Sequence, residues 1–120
     1  GSKMPIISHK KNFKDALRIM NQKNLGIVVI LKNKYIESLI TDGDLRRELK
    51  NYDYLKKLID IGSKKPLTVN ENMPASKALA IMNEKKITSL LVVSDKDYKR
   101  KRNVKLKGII HIHFLLRYGL

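Results

Sequence analysis

Phe13–Asn21 reads FKDALRIMN, and 62 residues later Ala75–Asn83 reads ASKALAIMN; this recurrence decides the fold. Ala16, Leu17, Ile19, Met20 and Asn21 return unchanged as Ala78, Leu79, Ile81, Met82 and Asn83. In each copy the apolar residues fall at i, i+3, i+4 and i+7, as Phe13, Ala16, Leu17, Met20 and then Ala75, Ala78, Leu79, Met82. That spacing predicts a short amphipathic helix with one face toward a core. Asn12 is placed to cap the first helix. Asn72 stands before Pro74 near the start of the second, where proline's missing N–H does no harm.

Working outward, a basic turn follows each helix and leads to a β-branched run, Ile27–Leu31 in the first copy and Leu90–Val93 in the second. Bounded by Asn33 and by Ser94 and Asp95, these runs predict buried strands. A further strand follows each, over Tyr35–Ile40 and Val104–Ile110, and each copy closes in a short helix, Gly43–Lys50 and His113–Tyr118. Pro5–Ile7 and Leu67–Val69 are read as extended pieces before the main helices, and Leu55–Ile59 as a helical connector. Asp95–Asn103 is read as a longer loop that carries an insertion of eight, which raises the offset between copies from 62 to 70. The result is an α+β chain of two βαββα units, residues 5–62 and 63–120. One such unit cannot cover its own sheet, so the two are expected to pack sheet to sheet about a pseudo-twofold axis.

Composition narrows the class. The chain has 120 residues, 42% of them hydrophobic, and no cysteine. Disulfides and thiolate metal sites are therefore excluded. The longest apolar stretch, Ile27 to Leu31, is far too short to span a bilayer, and nothing reads as a signal peptide. A soluble, cytoplasmic protein with no membrane partner is the expectation. Lys and Arg number 26 against 11 Asp and Glu, a net +15. That excess raises a polyanion partner, yet the lysines are spread along the chain and only Lys99–Arg102 forms a dense run.

Leu39–Arg47 reads LITDGDLRR, and with the duplicated βαββα order it resembles the CBS (cystathionine β-synthase) domain pair over nearly the whole chain. In that family a hydrophobic pair at a strand end precedes Thr or Ser, two variable residues and Asp; here these are Ile40, Thr41 and Asp44. Pro66-Leu67-Thr68-Val69 is similar to the proline-led strand that opens many such units. Ile87-Thr88-Ser89 and the ending His111–Gly119, HIHFLLRYG, narrow the resemblance to arabinose-5-phosphate isomerases, which feed Kdo and lipopolysaccharide synthesis. Those enzymes join an N-terminal sugar isomerase domain to a C-terminal CBS pair. The resemblance implies that this chain is that pair, a regulatory module without catalytic residues of its own. CBS pairs attached to sugar-phosphate nucleotidyltransferases carry a similar stretch and are the alternative parent.

The start of the helix after Thr41 offers unpaired N–H groups and a positive dipole end, which favour a phosphate. Thr41 offers a hydroxyl, and the Asp44 carboxylate can accept from two ribose hydroxyls; the resemblance assigns the same division of labour. Thr41 and Asp44 equally form the T-x-x-D pattern of an ordinary helix cap. Asp42, Gly43, Arg46 and Arg47 complete this candidate site. Leu25, Gly26 and Ile27, leading into the first β-branched run, join it, as do Thr88 and Ser89 before the second. In the second copy His111 replaces the threonine and Phe114 the aspartate. His111 and His113 are read as ligand-facing imidazoles in preference to metal ligands, and no metal or obligatory cofactor is expected. The regulatory ligand expected is AMP, ATP or the sugar nucleotide CMP-Kdo. Self-association as a homodimer is expected from the family. A basic nucleic-acid-binding protein is the rival from another class, but no recognition-helix motif, aromatic-interleaved basic strand or tryptophan supports it.

Overall fold

The computed structural model describes residues 4–51 and 56–117 of the chain. It divides into two compact units between Pro66 and Leu67. The first contains β1 (Ile6–Ser8), α1 (Phe13–Lys23), β2 (Ile27–Lys32), β3 (Tyr35–Thr41), α2 (Asp42–Lys50), a 3-10 turn at Leu58–Asp60 and β4 (Ser63–Lys64). The second contains β5 (Thr68–Asn70), α3 (Ala75–Lys85), β6 (Ser89–Val93), α4 (Asp95–Arg100), β7 (Gly108–His111) and α5 (Ile112–Arg117). The sheets run in the orders β1-β2-β3-β4 and β5-β6-β7. Two sheets and five helices realise the expected α+β class, with the same core order in each unit.

The repeat builds the same half twice. β1 lies parallel to β2 and β5 parallel to β6, with α1 and α3 as the crossovers. Phe13, Ala16 and Met20 of α1 pack on Val28, Ile30 and Ile40. Ala78 and Met82 of α3 pack on Val69, Leu90 and Leu115. Four successive β2 residues, Ile27 to Ile30, are buried, so the strand is covered on both faces as its β-branched run predicts.

Helix boundaries follow local chemistry. The Asn12 side chain accepts from Asp15 N while the Asp15 carboxylate accepts from Asn12 N, a complete capping box. Asn72 does not cap α3. Pro74 holds the N-cap position without a side-chain bond, and Asn72 instead donates its own N–H to Asn70 Oδ1, closing a turn. The β2–β3 hairpin turns on two residues, Asn33 and Lys34, with φ of 53° and 73°. Positive φ at both centres is the type I′ requirement, which asparagine meets comfortably and lysine does not.

Three expectations are corrected and one strand is added. Asp95–Arg100, read as part of a loop, is helix α4. It carries no apolar stripe and forms because the Ser94 hydroxyl accepts from Asp97 N at 3.1 Å while the buried Asp97 carboxylate accepts from Arg100 at 2.7 Å and Lys105 N at 2.9 Å. The strand read from Val104 begins only at Gly108, since Asp97 has taken the Lys105 amide out of ladder pairing. The connector is a 3-10 turn at Leu58–Asp60, Leu55 lying outside the described residues; Tyr118, read into the last helix, lies outside them as well. β4 was not foreseen. It pairs with Ser38 and Leu39 because the chain returns against β3 at Gly62, where a Cβ would sit 2.1 Å from Leu39 O.

Two substitutions test this account by thermal or urea denaturation. Lys34→Gly is expected to stabilise the chain by about 0.5–1 kcal/mol through relief of the left-handed backbone. Gly62→Ala is expected to destabilise it by about 1–3 kcal/mol, because backbone stands where the methyl must go.

Candidate functional site

At one end of the first sheet the register sets Ile27 opposite Thr41. Asp42 N donates to Gly26 O at 3.0 Å, tying the entry of β2 to the exit of β3. Gly26 holds φ +75°, a conformation that turns the chain from α1 into β2. The fold thus gathers the predicted residues Leu25, Gly26, Ile27, Thr41, Asp42, Gly43, Asp44, Arg46 and Arg47 into one cluster around the start of α2.

Within the cluster Thr41 and Asp44 cap the helix reciprocally. Asp44 N donates to Thr41 Oγ1 at 3.1 Å, and Thr41 N donates to Asp44 Oδ2 at 2.9 Å. The second carboxylate oxygen, Oδ1, accepts from Arg47. The Asp44 side chain is 12% exposed and that of Arg47 is 70% exposed. One partner of the carboxylate is therefore fixed main chain, while the other is a solvated arm whose departure costs little. Asp42 faces Arg46 at 3.5 Å, so the acidic first turn carries its own counter-charge. A Cβ at Gly43 would meet Thr41 Oγ1 and Arg47 Nη1 at 3.7 Å, ordinary contact distance. The fold itself does not require glycine there, and its effect is to leave the helix start uncovered.

The second unit repeats the frame with different side chains. Ser89 stands opposite His111, and Ile112 N donates to Thr88 O at 2.8 Å, the counterpart of the Asp42–Gly26 bond. The sequence reading missed this pair of main-chain ties, although both offsets, 62 for Gly26 to Thr88 and 70 for Asp42 to Ile112, were legible. His111 takes the threonine's place and its office, its Nδ1 accepting from His113 N at 3.2 Å. The two imidazoles stack with centroids 4.9 Å apart. Burial, and secondarily the His113 charge, push the His111 pKa below its ordinary value, which agrees with an unprotonated Nδ1 acting as acceptor. Phe114 is 54% exposed where the first unit holds Asp44, so this cluster has no carboxylate to offer a sugar. Ser89 Oγ is buried without a hydrogen-bond partner among the described residues. Among those residues, no group of three or more His, Asp or Glu side chains is placed to hold a metal ion. No described helix is long and apolar enough to cross a membrane.

The first two residues of the dense basic run are engaged within the protein. Lys99 pairs with Asp95 at 3.0 Å, and Arg100 reaches Asp97 and the carbonyls of Arg102 and Asn103.

Comparison with known proteins agrees with this duplicated frame. The CBS domain family model matches residues 2–51 and 58–118. An uncharacterized protein of Rickettsia prowazekii is 35% identical over 121 residues, covering 100% of this chain and 35% of that protein. The arabinose 5-phosphate isomerase KdsD of Escherichia coli K12 is 34% identical over 123 residues, again covering 100% of this chain and 35% of the relative. The chain thus spans about a third of the length of these curated relatives. Among solved structures, CBSX2 in complex with AMP superposes with a TM-score of 0.78 at 20% identity, covering 98% of this chain and 87% of the other.

The lowered His111 pKa has a signed consequence. Its neutral form is favoured in the folded chain, so its contribution is fully present above the ordinary histidine value of 6.5 and is lost as pH falls through the folded pKa. Urea denaturation between pH 7.5 and 5.5 is expected to show stability declining toward acid, and His111→Asn is expected to flatten that decline.

Proposed function

This chain belongs to the CBS domain family, and on that premise we propose that it is the regulatory CBS pair of an arabinose-5-phosphate isomerase. The ligand proposed is a nucleotide or sugar nucleotide, held in the first unit. The parent reading rests on identity over the whole chain to a KdsD enzyme three times its length. In that parent the remaining two thirds would hold the sugar isomerase domain and the chemistry. This chain would report ligand to it from the cytoplasm, within the supply of Kdo for lipopolysaccharide, and would pair with a second copy of itself.

The observation that carries the ligand reading is the state of Asp44. Its carboxylate is nearly buried, anchored through one oxygen to Thr41 N, and held through the other, among the described residues, only by the exposed Arg47 arm. Two ribose hydroxyls can displace that arm and keep the carboxylate satisfied, neutral donors taking the place of a guanidinium on a charged acceptor. Gly43 leaves room above the helix start for the attached phosphate, and Arg47, once released, is a cation close at hand. AMP in CBSX2 supports an adenine nucleotide as the first ligand to try. In the second unit Phe114 supplies no such acceptor, so one nucleotide per chain is expected. His111, His113, Thr88 and Ser89 would there meet a different group, and CMP-Kdo is the sugar nucleotide the pathway offers. Regulation follows only if the ligand prefers one arrangement of the module over another.

The nucleic-acid alternative is weakened, since Lys99 and Arg100 of the one dense basic run have carboxylate partners. The KdsD relative carries an isomerase name, which favours that parent over a nucleotidyltransferase.

Isothermal titration with AMP, ATP, CMP and CMP-Kdo tests the proposal. One of them is expected to bind with a stoichiometry of one, and Asp44→Ala is expected to weaken it at least tenfold. The same substitution removes half of the capping box at about 1 kcal/mol, which circular dichroism and melting will register separately. Absence of binding at millimolar ligand would reduce Thr41 and Asp44 to a helix cap.

A further inference from the structure

A cavity of about 420 Å³ opens in the first unit at the end of the sheet away from Thr41. Three segments line it: the β1–α1 loop from His9 to Asn12 with Phe13, the last residue of β2, Lys32, and the stretch from Lys56 to Ile59. Buried Phe13 and Leu58 form an apolar floor. Above it stand Lys10, Lys11, Lys32, Lys56 and Lys57, and among the described residues no carboxylate lines the cavity.

The loop is held in place, not merely near. His9 N donates to Leu31 O at 2.9 Å, Lys11 N to Ser8 O at 3.0 Å and Lys10 N to Ser8 Oγ at 3.2 Å. The α1 start beside it is closed by the Asn12–Asp15 capping box, so the charge of the site is that of its lysines. Two of the five are partly compensated: Lys56 lies 3.3 Å from Glu48, and Lys11 acts on Asp15. Lys10, Lys32 and Lys57 make no ion pair with a described carboxylate, and all three are exposed. Three like charges around one concavity repel one another, and an anion that seats among them relieves that repulsion.

We propose that this cavity is a second anion site, which takes a small molecule carrying two or more phosphate groups. Three uncompensated ammonium groups exceed the charge of about −1.5 to −2 on a single phosphate and match that of a di- or triphosphate. Lysine binds such groups as a mobile point charge and needs no fixed fork geometry. The walls enclose a small-molecule volume, whereas a nucleic-acid strand requires a continuing groove. The site is separate from the Thr41 cluster: β2 sets Lys32 opposite Tyr35 at one end and Ile27 opposite Thr41 at the other, five rises or about 17 Å apart.

The test uses the whole chain with inorganic tripolyphosphate as probe, at matched ionic strength, followed by titration calorimetry and amide NMR shifts. Saturable one-to-one binding is expected, with shifts concentrated at residues 9–12, 32 and 57–59. Lys32→Gln/Lys57→Gln is expected to weaken it at least tenfold, while Lys77→Gln/Lys85→Gln on α3 is expected to leave it unchanged. Pyrophosphate is expected to bind more tightly than orthophosphate. No saturation at millimolar probe, shifts centred on residues 41–43, equal weakening by both double variants, or preference for a nucleic-acid oligomer over tripolyphosphate would each overturn the proposal. Because the shifts distinguish the two ends of the sheet, failure here and failure of the Asp44 site are read independently.

Discussion

Everything in the first unit is arranged around a strand that has no free side. β2 is bonded to β1 on one edge and to β3 on the other, and Ile27 to Ile30 are buried on both faces. A strand so placed tolerates no slip of register, since a shift by one residue would exchange its two buried faces and misplace every partner. β6 occupies the same position in the second unit, between β5 and β7. Because the register is fixed, Gly26 O must meet Asp42 N and Thr88 O must meet Ile112 N, and the two helix starts are set by the sheets before any ligand is considered.

Side-chain chemistry then differs between two equal frames. At the first helix start a hydroxyl and a carboxylate cap each other, and at the second an imidazole caps alone. Both arrangements satisfy the exposed end of a helix, but only the first keeps an acceptor that can be offered elsewhere. The divergence at Thr41 to His111 and Asp44 to Phe114 therefore changes which acceptors stand at the helix start without changing how the unit folds.

The repeat was legible because it is written in apolar spacing, and so were the helices α1 and α3, the doubly buried strands and the Asn12 cap. The cluster around Thr41 was legible from the TDGD stretch, because strand exit and helix start are adjacent in the chain as well as in space. What escaped was written in polar residues that act across sequence. Helix α4 has no stripe to betray it and depends on Asp97, whose partners include Lys105 eight positions on. β4 depends on a glycine whose role appears only when Leu39 is brought against it. The lysine-lined cavity is assembled from segments 19 or more residues apart, each unremarkable among 26 basic side chains.

Asp97 also bears on how the two copies came to differ in length. Its bonds run to Ser94 on one side of the insertion, to Arg100 within it and to Lys105 just beyond it, so the added turn closes on itself. Only Asn70 and Glu71 reach out to it from the strand side, through Asp95. A segment whose polar groups are satisfied internally is an exchangeable cassette. It can be lengthened, shortened or replaced between β6 and β7 while the pairing of Ser89 with His111 stays where it is, which leaves this edge of the module open to diversification at no expense to its frame.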